Sequence, residues 1–221
     1  NGKTTLICDL DPQASTTFYF RVKPRLKRDA QGLRRSGKPV DRSIKGTDYD
    51  NLDILPADFS HRNLDITFDR LKQRKQRLDI ILEPLRDEYD LIILDCPPTI
   101  NILAENIFSA SDILLVPLIP TTLSARTFTQ LLAFLKENRR NAAQVFAIFS
   151  MVDQRKNMHL DMIQSLRTEY DGFLESSIPY RSQIEQMGIY REPVAAFAPN
   201  SDAAQAYEAL WGELALRFGS K

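Results

Sequence analysis

The chain has 221 residues and is 43% hydrophobic, which suits one α/β domain with a buried core, although two small domains are also compatible. Lys plus Arg and Asp plus Glu both number 29, so the formal net charge is zero. A nucleic-acid-binding surface, if the chain has one, must therefore be local. The longest apolar runs, such as residues 113–120, are far too short to span a bilayer.

In chain order, five short apolar runs predict buried strands: residues 6–10, 52–55, 91–94, 113–116 and 145–150. They are continuous rather than alternating, a pattern typical of parallel strands that helices cover on both faces. Four helical patterns accompany them: the stripe Leu71, Leu78, Ile81, Leu82 and Leu85, the stretch after Ser124, the stretch marked by Leu160, Ile163 and Leu166, and residues 203–218 after Ser201 or Asp202. This alternation predicts a doubly wound, mostly parallel sheet flanked by helices.

One segment departs from this pattern. Residues 21–45 contain ten Lys or Arg and two Asp, a local charge of +8, with few apolar residues. We expect an exposed insertion there. It is either a solvated loop without a partner or a binding element for a polyanion, and both interpretations stay open.

The two cysteines, Cys8 and Cys96, lie at the ends of predicted buried strands. Two buried thiols favour a reducing compartment, which indicates the cytoplasm. A disulfide between the two neighbouring strand ends is the less favoured alternative.

A phosphate-binding motif opens the chain. Gly2, Lys3, Thr4 and Thr5 follow the order of the second half of a phosphate-binding loop. In such a loop the glycine lets the backbone approach the phosphates, the lysine reaches the β- and γ-phosphates, and the hydroxyl after it coordinates Mg²⁺. We therefore predict that residues 2–5 bind a nucleotide, with Lys3 also catalytic and Thr4 also a metal ligand.

Carboxylates end two of the predicted strands. Asp95 follows residues 91–94 and would hold the same Mg²⁺ from the carboxyl end of its strand. Asp9 and Asp11 are two residues apart after another strand, so that one could orient an attacking water and the other could support the metal. The alternative is an ordinary turn followed by ordinary strand-ending carboxylates.

Together these motifs resemble the ParA/MinD/Soj group of deviant P-loop ATPases. The matching pattern is Gly-Lys-Thr-Thr, then Asp-Leu-Asp-Pro-Gln at residues 9–13, then Tyr-Asp-Leu-Ile-Ile-Leu-Asp-Cys-Pro-Pro at residues 89–98. Segments near residues 150–155, 178–179, 191–194 and 198–213 are similar to the C-terminal half of the ParA branch. The resemblance covers nearly the whole chain outside residues 21–45, which implies one domain over residues 1–221.

The resemblance implies a role for each matching residue. Asp11 would orient the water, Asp9 would be a second acidic group near the metal, and Asp95 would be the magnesium-side carboxylate. Pro199 and Asn200 would lie beside the adenine, with Met151 on the base.

By the same resemblance, the chain would be a partitioning ATPase with ATP and Mg²⁺ as cofactors. ATP would drive homodimer formation, the dimer would bind double-stranded DNA non-specifically at the nucleoid, and a ParB-like or cargo-adaptor protein would stimulate hydrolysis and release; no membrane partner is implied. Candidate DNA contacts, each of which could equally be a solvated charge, are Arg70, Lys72, Arg74, Lys75, Arg77, Arg181 and Arg191. The rival functions are a metabolic enzyme or metal-cluster factor of the same superfamily and a non-hydrolysing DNA-binding scaffold.

The start of the chain departs from the family pattern. The family has a strand and a signature lysine before the loop, and neither is visible here. The family also has a crossover helix where Leu6 directly follows Thr5 in this chain, and a strand that begins there leaves no helix N-terminus on the phosphates. Either about 15–20 residues, roughly one crossover, are absent between Thr5 and Leu6, or the chain is shortened and inactive.

Overall fold

The computed structural model describes residues 2–23, 40–57, 64–99, 101–137 and 143–218. Residues 24–39, which make up most of the predicted basic insertion, lie outside these ranges, as does Asn1. The backbone contacts divide the chain into two compact units, Asn1–Ser111 and Asp112–Lys221, which are described separately. One domain over residues 1–221 stays a prediction.

The first unit contains a four-stranded sheet and short helices. Its elements are β1 (Thr5–Asp9), α1 (Ser15–Tyr19), a 3₁₀ turn (Val40–Ser43), β2 (Lys45–Gly46), β3 (Leu52–Leu55), α2 (Leu64–Asp69), α3 (Arg77–Leu82), a 3₁₀ turn (Glu83–Leu85), β4 (Leu91–Asp95) and α4 (Ile102–Ala110). The strand order is β2-β3-β1-β4, in which β1 is parallel to both neighbours and only β2 is antiparallel.

The core of the first unit lies under β1. Leu6 and Cys8 of this strand, and Leu10 directly after it, are at most 1% exposed and pack with apolar residues of α2, α3 and α4. Asn106 of α4 is also fully buried, and its amide accepts from Leu78 N (3.1 Å) and donates to the Arg74 carbonyl (2.7 Å). Because a buried amide needs such partners, Asn106 fixes the start of α3 against α4.

The second unit contains three parallel strands in the order β5-β6-β7. Its elements are β5 (Ile113–Leu118), α5 (Thr122–Glu137), β6 (Gln144–Val152), α6 (Asn157–Glu169), β7 (Phe173–Pro179), α7 (Ser182–Tyr190), α8 (Val194–Phe197) and α9 (Asp202–Phe218). Both faces of β6 are buried: Ala147 and Phe149 pack with α5 and α6, whereas Phe146 and Ile148 pack with α9. This accounts for the continuous apolar sequence of the strand.

A bulge in β7 is held by charged side chains of two helices. The register between β6 and β7 shifts between Ala147 and Phe149. Glu213 of α9 accepts from the amides of Glu175 and Ser176, both at 3.0 Å, and Arg167 of α6 donates to the carbonyls of Leu174 (2.9 Å) and Glu175 (2.6 Å). These side chains give partners to backbone groups at the bulge, where the register with β6 is irregular.

The α/β class with mostly parallel strands is confirmed, and all five predicted strands are present. The helix predicted after Ser124 begins earlier, at Thr122, and the stripe from Leu71 to Leu85 is not one helix. It includes a turn before α3 and a 3₁₀ turn that contains Pro84, a residue that cannot donate a helical hydrogen bond. Ser201 is the N-cap of α9, since its hydroxyl accepts from Ala204 N at 3.1 Å.

Both cysteines are free thiols, so the alternative of a disulfide is wrong. Cys8 is buried, and burial raises the pKa of its thiol to about 12. Cys96, by contrast, is exposed, although the sequence predicts that it is buried.

Candidate nucleotide site

Two aspartates meet at the carboxyl edge of the four-stranded sheet. Asp9 is the last residue of β1 and Asp95 is the last residue of β4, and they are register partners on adjacent parallel strands. Ligands of open α/β sheets bind at the carboxyl ends of strands, so this edge is the candidate nucleotide site.

Asp9 is turned inward and organises the loop that follows it. Its side chain is 0% exposed. Its Oδ2 accepts from Thr17 N (2.8 Å) and Thr17 Oγ1 (2.7 Å), and its Oδ1 accepts from Asp11 N (3.2 Å). Thr17 Oγ1 in turn accepts from Ala57 N at 2.9 Å. This geometry gives Asp9 a positioning role in the loop that follows β1; its place near a metal ion stays a prediction.

The protonation of Asp9 reflects opposing effects. Burial raises the pKa of its carboxyl, the hydrogen bonds from Thr17 lower it, and the neighbouring charge of Asp95 raises it again, with a raised pKa as the result.

Asp11 lies in the turn between β1 and α1 and is only half-buried. Its Oδ1 accepts from Gln13 N at 2.9 Å, which fixes the carboxylate in the turn. Asp11 N is held by Asp9, so the position of Asp11 depends on the buried network beneath it. The carboxylate predicted to orient water is therefore on the same sheet edge as Asp95.

Thr16 is a site residue that the sequence reasoning missed. Its hydroxyl donates to Asp95 Oδ2 at 2.7 Å and thereby ties the start of α1 to the carboxylate predicted to hold magnesium. The available signal was the run Ser15-Thr16-Thr17 directly after Asp-Pro-Gln, since hydroxyl residues at the start of a helix commonly bond nearby polar groups.

The residues of the predicted phosphate loop lie at the opposite edge of the sheet. Thr5 is the first residue of β1 and Leu6 is the second, so no crossover helix separates them. Thr4 Oγ1 and Thr4 N both donate to Asp90 Oδ2, at 2.9 and 2.8 Å, at the amino end of β4. These bonds lower the pKa of Asp90. Thr4 thus joins the amino ends of two neighbouring strands.

This placement separates the two halves of the predicted site. Asp9 is four residues along the strand from Thr5, which corresponds to about 13 Å at about 3.3 Å per residue. Thr4 and Asp95 therefore do not meet on one magnesium ion in this geometry. Gly2 and Lys3 precede a strand rather than a helix, and a helix N-terminus is what gives a phosphate loop its converging amides.

The carboxyl edge nevertheless fits a nucleotide-bound Mg²⁺. In the described part of the chain, no group of three His, Cys, Asp or Glu residues could hold a metal ion by itself. Mg²⁺ in nucleotide sites keeps several waters and binds one or two carboxylates together with the phosphates. Asp95, with its hydroxyl partner Thr16, is a donor of that kind.

The predicted adenine contacts all lie in the second unit. Met151 is 44% exposed near the end of β6 and has φ of 55° beside a register shift, a conformation that is costly for a residue with a side chain. Pro199 and Asn200 form an exposed turn before α9. Their contact with a base stays a prediction.

The predicted DNA contacts differ in their surroundings. Arg77 is only 6% exposed, so it is not available to a duplex as placed here. Arg74 pairs with Asp69 (2.7 Å), Lys75 pairs with Glu105, and Arg181 pairs with Asp202 (2.7 Å). Arg70 and Lys72 are exposed, and Arg191 ends α7 with φ of 55°. The run at residues 70–77 is therefore not one continuous basic face.

Comparison with known proteins decides the family. A family model described as an AAA domain matches residues 1–148. A virulence plasmid ParA family protein of Chlamydia psittaci is 30% identical over 209 residues, which cover 92% of this chain and 79% of that protein. The chain belongs to the ParA family. As a member of this ATPase family it is an ATPase, with ATP and Mg²⁺ as its cofactors.

Two further similarities extend over nearly the whole ParA-family chain. The sporulation initiation inhibitor protein Soj of Bacillus subtilis is 26% identical over 220 residues, covering 97% of this chain and 87% of Soj. A plasmid partition protein of Borrelia burgdorferi, in a structure with bound AMPPNP, superimposes with a TM-score of 0.82 at 22% identity, covering 98% and 88% of the two chains. The latter likeness concerns the fold. No helix in the described ranges is long and apolar enough to cross a membrane.

Proposed function

We propose that this ParA-family ATPase positions a cargo on DNA. ATP would drive dimer formation, the dimer would bind double-stranded DNA non-specifically in the cytoplasm at the nucleoid, and a ParB-like or cargo-adaptor protein would stimulate hydrolysis and release. The proposal draws on the similarity, over almost the whole chain, to Soj, to a virulence plasmid ParA family protein and to chromosome partitioning proteins ParA.

The observation that carries the proposal is that hydrogen bonds hold two carboxylates in place at the carboxyl edge. Asp95 and Asp11 lie on this edge. Asp95 is fixed by a hydrogen bond from Thr16 at the start of α1, and Asp11 by one from Gln13 in its own turn. Mg²⁺ with ATP would supply charge neutralisation at the phosphoryl oxygens. Asp95 would hold the metal with Thr16 as its support, and Asp11 would accept a proton from, and orient, the attacking water.

We further propose that Gly2, Lys3 and Thr4 lead into β1 and do not bind the triphosphate. They lie at the amino edge of the sheet, and the Thr4 hydroxyl is engaged by Asp90 at 2.9 Å. The residues that bind the phosphates would then lie at the same edge of the sheet as Asp11 and Asp95. Met151, Pro199 and Asn200 remain the proposed adenine contacts.

ATP turnover of the wild-type protein, with and without duplex DNA, tests the function. Turnover that DNA or a partner protein modulates supports a positioning ATPase. Turnover that needs a small molecule instead favours a metabolic enzyme, and absence of turnover favours a scaffold.

The residue roles are tested by Asp11→Ala, with Asp161→Ala on the exposed face of α6 as a matched control. Asp11→Ala should bind ATP and lose hydrolysis by about 100-fold or more, the usual contribution of a positioned base. Hydrolysis at the wild-type rate in Asp11→Ala would remove the proposed role.

A further inference from the structure

A shallow basic basin lies at the β2 edge of the four-stranded sheet. Its volume is about 410 Å³, and it is lined by residues that follow α1 and by residues of β2 and the turn after it. The lining comprises Phe20, Arg21, Val22, Lys23 and Lys45–Asp48. We propose that this basin binds the phosphate backbone of double-stranded DNA. The inference rests on the proposed function and names the surface that would serve it.

The charge of the basin is positive. Its lining contains three cationic side chains, those of Arg21, Lys23 and Lys45, and one carboxylate, that of Asp48. Asp48 accompanies Arg21 at 3.6 Å, whereas Lys23 and Lys45 make no ion pair with any of the described residues. Within the described part of the chain, Lys23 and Lys45 thus have no counter-ion, unlike Arg74, Lys75 and Arg181, which are already paired.

The other lining groups match those that bind DNA phosphates. Such contacts come from Arg and Lys, from hydroxyl side chains and from backbone amides. Thr47 supplies a hydroxyl, and Gly46 is exposed; the atom nearest to the position of a Cβ there is Asp53 Oδ1, at 3.8 Å. The backbone of β2 is therefore sterically open at Gly46.

The backbone at Arg21 gives an independent reason to assign a function here. Arg21 N donates to the Phe18 carbonyl (3.1 Å) and Val22 N donates to the Thr17 carbonyl (3.2 Å), the Schellman pattern of a helix end. Its left-handed residue is usually glycine, yet here it is Arg21 with φ of 58°. A side chain kept in an unfavourable conformation often marks a functional position.

Aromatic packing fixes the two walls of the basin to each other. The rings of Phe20, at the end of α1, and Tyr49, in the turn after β2, meet edge to face with centroids 6.3 Å apart. The cations of both walls are therefore held on one surface, as a phosphate chain requires.

The test is binding of a fluorescent DNA duplex without a chosen sequence, measured by anisotropy with a non-hydrolysable ATP analogue present. Each phosphate contact adds a salt slope of about −0.9, which amounts to about eightfold in affinity at 0.1 M salt. The double variant Lys23→Gln/Lys45→Gln should bind about 60-fold more weakly, with a slope smaller in magnitude by about 1.8. The charge-matched control Arg126→Gln/Lys136→Gln, on the exposed side of α5, should bind as the wild type does.

The outcomes separate this inference from the proposed function. If the wild type binds DNA and the Lys23/Lys45 variant binds equally well, the basin is not the DNA surface, although the proposed function survives. If the wild type does not bind DNA at all, both fail. Binding of the wild type to anionic phosphatidylglycerol vesicles instead of DNA would also overturn the assignment. Equal thermal melting of the two double variants shows that both are folded.

Discussion

Thr17 should be one of the most sensitive positions of the first unit, and Thr17→Val tests the network beneath the candidate site. Thr17 is 1% exposed, donates to Asp9 Oδ2 at 2.7 Å and accepts from Ala57 N at 2.9 Å. Valine has nearly the same shape but can make neither bond. A hydrogen bond to a charged group contributes about 1.5–3 kcal/mol, and a buried amide left unpaired costs about 1–3 kcal/mol. The additional methyl group returns about 0.8 kcal/mol, so we expect a loss of about 2–5 kcal/mol.

The assay is urea unfolding with linear extrapolation, and the control is the neighbouring variant Thr16→Val. Thr16 is only half-buried and its hydroxyl donates to Asp95, so its loss should cost less than about 1.5 kcal/mol while lowering ATP turnover. The reasoning is refuted if Thr17→Val costs less than 1 kcal/mol, or no more than Thr16→Val.

Three other variants test separate features. Lys3→Ala should leave ATP turnover within about twofold of the wild type, because Lys3 precedes β1 at the amino edge; a loss of 100-fold, of the size expected for Asp11→Ala, would return the phosphates to residues 2–5. Arg21→Gly should raise the free energy of unfolding by about 0.5–1 kcal/mol through relief of the left-handed φ, whereas Arg21→Ala should not, and equal effects in urea unfolding would contradict this explanation. Burial raises the pKa of Glu213, but the hydrogen bonds from the Ser176 and Glu175 amides and from Arg217 together lower it by more. The pKa of Glu213 therefore lies below its ordinary value of 4.5. Because the folded-state pKa is the lower one, this stabilisation is complete above pH 4.5 and is lost as pH falls through the folded-state pKa. Glu213→Gln should flatten that part of the stability curve in pH-dependent thermal melting, and the exposed control Glu208→Gln should not.

The sequence predicted the strands well where burial alone decides the pattern. Both faces of β6 are covered, so its apolar run is continuous and easily recognised. β7 was missed because Glu175, Ser176 and Ser177 interrupt its apolar character, and its bulge depends on Arg167 and Glu213, which belong to the helices α6 and α9. Local patterns do not reveal such partners.

The carboxylates were identified correctly as a group at one edge, but their individual environments were not. Motif spacing placed Asp9, Asp11 and Asp95 after strands, and register confirms that Asp9 and Asp95 are neighbours. Only the fold distinguishes the buried Asp9 from the half-buried Asp11, because Asp9 is turned inward by its hydrogen bonds with Thr17. Similarly, Gly-Lys-Thr-Thr predicts a phosphate loop only if a helix follows, and here a strand follows.

The hydrogen bonds from Glu213 to the backbone of β7 have a consequence for solubility. β7 is an edge strand of the three-stranded sheet, and edge strands with free amides pair readily with other chains. Glu213 occupies the amides of Glu175 and Ser176, so a second molecule cannot use them while that carboxylate is ionised. Acid would uncover these amides next to the apolar residues Phe173 and Leu174. Protein held near the folded-state pKa of Glu213 should therefore associate through this edge, and Glu213→Gln should do so already at neutral pH.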